Sequence, residues 1–99
     1  MKEAIIRKKA IEILTKENYI SWYPSPVRWK KEIDIFGVFD IVAVKHLKVP
    51  RFIQITTLSN ISARKHKVLK VFNDVLPLMS IEIWGYDKKK KIFKVIVLN

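Results

Sequence analysis

Gly37-Val38-Phe39-Asp40-Ile41-Val42-Ala43-Val44 and Arg51-Phe52-Ile53-Gln54-Ile55-Thr56-Thr57 are two apolar runs rich in β-branched and aromatic residues, each carrying a polar residue among its apolar ones. Runs of this kind read as strands. The connection Lys45 to Pro50 is short, so the two are expected to pair as an antiparallel hairpin. Asp40 is the single charge in the first run, and Gln54 interrupts the second in the same way. A buried charge is costly unless it is paired, hydrogen-bonded or bound to a metal. Side chains alternate along a strand, so Gln54 and Thr56 share a face. Asp40 joins that face only if paired residue numbers sum to an even value. A sum of 94 sets Asp40 opposite Gln54, and 96 sets it opposite Thr56; both put the turn near Leu47-Lys48. An odd sum would turn Asp40 to the other face.

Upstream, Glu3 to Glu17 reads as a helix with Ile6, Ala10, Ile13 and Leu14 on one stripe and Asn18 as its stop. Tyr19 to Tyr23 is β-prone, and Pro24-Ser25-Pro26 ends it. Downstream, Asn60 or Ser62 caps a second helix that turns Val68, Leu69, Phe72, Val75 and Leu76 inward and closes at Pro77. Ser80 to Tyr86 and Ile92 to Leu98 complete the set as two strands joined by Asp87 and Lys88-Lys89-Lys90-Lys91. The order α-β-β-β-α-β-β predicts an α/β (α+β) fold with a mixed central sheet flanked by two helices.

Ninety-nine residues, 49% of them hydrophobic, suit one domain spanning residues 1–99 and one modest core. No apolar run reaches the roughly 20 residues that cross a bilayer. The amino terminus lacks a long apolar stretch, so a cytoplasmic chain with no membrane partner is expected. Without cysteine there are no disulfides or thiolate metal sites. The net charge of +11 raises the local concentration of polyanions, which makes nucleic acid, DNA first, the expected partner. A Lys-rich solvated surface is the competing reading. No Gly-rich phosphate loop, nucleophilic triad or cofactor fingerprint is present, and His46 and His66 lack ligand spacing.

The segment Asp34-Ile35-Phe36-Gly37-Val38-Phe39-Asp40, followed by Gln54-Ile55-Thr56 and Asn60-Ile61-Ser62-Ala63-Arg64-Lys65-His66-Lys67, resembles the PD-(D/E)XK nuclease-like class. It is most similar to small bacterial, archaeal and phage proteins with Gln-x-Thr in place of Glu-x-Lys. The resemblance covers Asp34 to Lys67 directly, and the element order extends it. It implies a restriction-endonuclease-like αβββαβ core and a Mg²⁺- or Mn²⁺-dependent deoxyribonuclease. Asp40, Gln54 and Asp34 would then be metal ligands, and Asp40, Gln54, Thr56 and Lys67 catalytic. Arg28, Lys30, Lys31, Arg64 and Lys67 would contact nucleic acid, and a homodimer would fit. There are two departures: Gln54 stands where a second carboxylate is expected, which weakens metal binding, and Thr56 stands where the Lys that positions or activates water is expected, a part left to Lys67 or Arg64. Glu32 is a second source of charge beside Asp34, and Glu12 stands in for the helical Glu of some relatives.

Three function classes follow. The first is a metal-dependent phosphodiesterase, and the second an inactive nucleic-acid-binding module that keeps the fold. The third is a structural or protein-binding subunit with no salt-sensitive affinity for nucleic acid. For Asp40 the bland reading is a strand-end carboxylate bonded to nearby backbone or paired with Arg64. For Trp22, Tyr23 and Trp29 core packing competes with base stacking.

Overall fold

A computed structural model describes residues 3–23, 38–72 and 79–98. Helix α1 (Glu3–Lys16) is followed by strands β1 (Ile20–Trp22), β2 (Ile41–Val44) and β3 (Arg51–Thr57). A 3₁₀ turn (Leu58–Asn60) leads into helix α2 (Ile61–Val71), and β4 (Ser80–Asp87) and β5 (Ile92–Val97) follow. The strands form one sheet in chain order, with β3 and β4 parallel and every other neighbouring pair antiparallel. Among the described residues the fold is therefore α+β, with a five-stranded mixed sheet and two helices. Neither helix is long and apolar enough to cross a membrane.

Strand parity divides the side chains into two cores. Odd positions of β3, Ile53 and Ile55, join Ile41, Ala43, Trp84 and Tyr86 under Ile6, Ala10 and Leu14 of α1. Phe52, at an even position, packs with Val38, Phe39, Ile81 and Val68 of α2 on the other face. The helices thus cover opposite faces of the sheet. Ile13, expected on the buried stripe, is 39% exposed. It overhangs a groove above Trp84, Phe93 and Val95, because α1 packs on β2 to β4 and stops short of the edge strand β5.

Local chemistry sets the ends of these elements. Asn18 takes φ 68°, Tyr19 N–H returns to the Leu14 carbonyl at 2.9 Å and Asn18 N–H to Thr15 at 3.0 Å, a Schellman ending for α1. The β2–β3 turn closes through Lys48 N–H to Lys45 O at 3.1 Å, with Leu47 at φ 61°. At the β4–β5 tip, Asp87 Oδ1 accepts the N–H groups of Lys89 and Lys90, which holds the exposed Lys tract in a turn. Asn60 is the N-cap residue of α2, without a side-chain capping bond. Gly85 lets α2 start close to the sheet: a Cβ there would strike the Ile61 side chain and lie 3.3 Å from the Leu58 Cα. The readings for Pro24 to Gly37 and for Val75, Leu76 and Pro77 lie outside the described residues.

Candidate functional site

The β2–β3 register is Ile41↔Ile53, Val42↔Phe52 and Ala43↔Arg51, a constant sum of 94, so the even parity expected of the hairpin holds. It does not continue unbroken to Asp40. Asp40 N–H donates to the Ile53 carbonyl at 2.8 Å, although Ile53 already faces Ile41. Two residues opposite one is the pattern of a β-bulge, which re-aims a side chain at the end of a ladder. Phe39 anchors the bend from below, its ring 5.5 Å from Phe52 and 6.1 Å from Phe72.

Past the bulge the β2 ladder gives way to an isolated bridge at Phe39, which leaves a place for a side chain at the Ile55 N–H. The Asp40 carboxylate takes that place: Ile55 N–H donates to Oδ2 at 2.7 Å, and Gln54 Nε2 donates to the same oxygen at 3.1 Å. The Gln54 amide nitrogen also donates to the Ile55 carbonyl at 3.1 Å. Asp40 is 9% and Gln54 5% exposed. Gln54 Oε1 is buried with no hydrogen-bond partner. An orphaned buried acceptor is costly and asks for an explanation.

Two hard oxygens, Asp40 Oδ2 and the Ile55 carbonyl, converge on a point that the Gln54 amide nitrogen fills. A hard divalent cation takes carboxylate, carbonyl and amide oxygens. Turning the amide would bring the orphaned Oε1 toward the same two oxygens, a set of three with a single formal charge. Among the described residues no group of three His, Asp or Glu side chains forms a stronger centre.

The remaining predicted residues fall as follows. Thr56 is half-buried beside Gly85, with no hydrogen bond to Asp40 or Gln54, so the expected trio is a pair. Arg64 is half-exposed and Lys67 exposed on α2. Ser62 and Lys65 line a groove with Ile92, Lys94 and Ile96 of β5. At 100° per residue, Arg64 and Lys67 then lie on the opposite flank, toward β2 and the Asp40 bulge. Glu12 is exposed on α1, across the sheet from Gln54, so it cannot play the helical acid suggested for it. Asp34, Glu32, Arg28, Lys30 and Lys31 lie outside the described residues.

Compared with family models, curated proteins and solved structures, the chain matches none.

On the α1 face the sequence reading missed a buried ion pair. Arg51 Nε and Nη2 donate to the two Glu82 oxygens at 2.7 Å each, and Ser80 Oγ and Trp84 Nε1 donate to the same carboxylate. Burial pushes the Glu82 carboxyl up, but the hydrogen bonds from Arg51, Ser80 and Trp84 outweigh it and hold the group below its ordinary value. The Arg51 guanidinium is raised in turn, chiefly by its bond to Glu82, and stacks 4.8 Å from the Tyr19 ring. Glu82 interrupts Ile81 and Ile83 as Asp40 interrupts its own strand. The signal was therefore the same one. With both carboxylate oxygens engaged, the pair acts as a clasp between β3 and β4.

Proposed function

We propose that this chain is a nucleic-acid-binding protein with a nuclease-like core, and that the Asp40–Gln54 pocket is a divalent-cation site for hydrolysis of phosphodiester bonds in DNA. The observation that carries the reading is the convergence of Asp40 Oδ2 and the Ile55 carbonyl on one point, with the Gln54 Oε1 acceptor left over. The order of α1, three strands, α2 and a parallel β4 supports the PD-(D/E)XK-like αβββαβ core that the motifs resemble. The charge of +11 supports the polyanionic partner.

Asp40, Gln54 and the Ile55 carbonyl would hold magnesium or manganese. Bound there, the ion would polarise the scissile phosphate and lower the pKa of the attacking water. Asp40 is positioned for this by its own backbone bond to Ile53 and by the Ile55 N–H, which fixes its carboxylate. Arg64 and Lys67, on the α2 flank toward β2, would orient the phosphate. The second reading is an inactive binding module, and one observation favours it. The Gln54 amide nitrogen already satisfies both oxygens, as a built-in substitute for a cation.

The test is incubation with supercoiled, linear, single-stranded and branched DNA in magnesium or manganese, alongside Asp40→Ala. Cleavage by the wild type that Asp40→Ala lacks supports the hydrolase. Binding without cleavage of any substrate supports the inactive module. Equal cleavage by both proteins removes Asp40 from the chemistry.

A further inference from the structure

We infer that Trp22 is a stacking platform for an unpaired nucleobase beside the Asp40–Gln54 pocket, so that the nucleic acid engaged there is single-stranded or locally opened. This rests on the nucleic-acid reading above and names the state of the strand. Trp22 pairs with Val42, and Val42 with Phe52, so Trp22 lies on the α2 face of the sheet, the face of Gln54. Asp40 is two residues from Val42 along the chain. With ~3.4 Å per residue and ~4.8 Å between strands, the Cα atoms of Trp22 and Asp40 lie roughly 8 Å apart.

The indole is open: Trp22 is 60% exposed, whereas Trp84 is 1% exposed on the other face. Among the described residues, helix α2 packs over β3 and β4, to one side of the shelf formed by β1 and β2. Ile20, 74% exposed, and Val44, 41% exposed, continue the shelf along the same face. Tyr23, the next aromatic, turns instead to α1, where the Arg7 guanidinium sits 4.6 Å from its ring.

Charge selects the occupant. The shelf is bordered by the α2 flank carrying Arg64 and Lys67, and Ile61–Val71 contains no acidic residue. An apolar protein partner would have to desolvate those cations, and a second copy would bring +11 against +11. A base with its phosphate satisfies both the planar apolar face and the cations. A duplex keeps its base faces in its own stack, whereas an unpaired strand offers them to an aromatic side chain.

The experiment compares wild type, Trp22→Ala and Trp22→Phe for binding to a fluorescent oligothymidylate and to a duplex of equal length, at low salt in EDTA so that no cleavage intervenes. Trp22 is exposed, so both variants should fold, which thermal unfolding checks. The expected result is a loss of roughly 5- to 150-fold in single-strand affinity for Trp22→Ala. Trp22→Phe should retain most of the affinity, and duplex binding should not change. Single-strand binding unaffected by Trp22→Ala would overturn the inference and leave the nucleic-acid reading standing. Equal losses on single strand and duplex would also overturn it. Failure of the wild type to bind either oligomer would remove the nucleic-acid reading and this inference together.

Discussion

The buried Asp40 side chain is tied to the edge of β3. Its carboxylate accepts from Ile55 N–H at 2.7 Å and from the Gln54 amide at 3.1 Å. Removing it as Asp40→Ala takes away the acceptor of the Ile55 N–H, while the Gln54 amide keeps its bond to the Ile55 carbonyl, and should cost about 1–3 kcal/mol, read by denaturant unfolding. Gln54→Glu tests the cation point directly. Without metal it replaces a donor by a second carboxylate against Asp40, so Tm in EDTA should fall by several degrees. Added manganese should restore it. Glu82 gives a pH test. Its folded-state value is held below the ordinary 4.5, so its contribution is complete above that pH and is lost as pH falls through the lower folded value. Glu82→Gln should cost about 3 kcal/mol at pH 7 and flatten the acid loss of stability seen in the wild type. At this scale polar interruption of an apolar strand was legible for Asp40 and Gln54. The same signal at Glu82 went unread, because its partner Arg51 opens a strand 31 residues upstream and only the β3–β4 pairing joins them.

The elements were the most legible part of the chain. Strand β3 runs Arg51–Thr57 as expected, because its β-branched run is bounded by Pro50 and by the Leu58-Ser59-Asn60 turn. Strand β2 begins at Ile41, three residues after Val38, since the bulge at Asp40 breaks the ladder. Periodicity alone does not reveal a bulge. The approach of α2 to β4 was equally hidden, because it depends on an absent side chain. Gly85→Ala should push Ile61 and the start of α2 off the sheet, costing about 1–3 kcal/mol in unfolding measurements. Leu47 points the other way: it adopts φ 61° while 89% exposed. Leu47→Gly should therefore stabilise the hairpin by up to about 1 kcal/mol, as the left-handed conformation costs a leucine more.

For the whole molecule, the two faces of the sheet divide the labour. The α1 face carries the Arg51–Glu82 clasp and the larger core, while the α2 face carries Asp40, Gln54, Trp22 and the basic flank of α2. If a polyanion lies over the α2 face, Arg64→Ala with Lys67→Ala should lower the salt slope of duplex binding by about 0.9 for each phosphate no longer neutralised. Lys8→Ala with Lys16→Ala, on exposed α1 positions, should leave that slope unchanged. Net charge raises a polyanion as an expectation from composition, but which face would receive it depends on strand parity and the placement of α2. The cation point is the centre of the functional reading, and calorimetric titration of manganese into wild type, Asp40→Ala and Gln54→Glu tests it most directly. Weak saturable binding by wild type, tighter binding by Gln54→Glu and none by Asp40→Ala is the expected result; manganese binding that is the same in wild type and Asp40→Ala would contradict it.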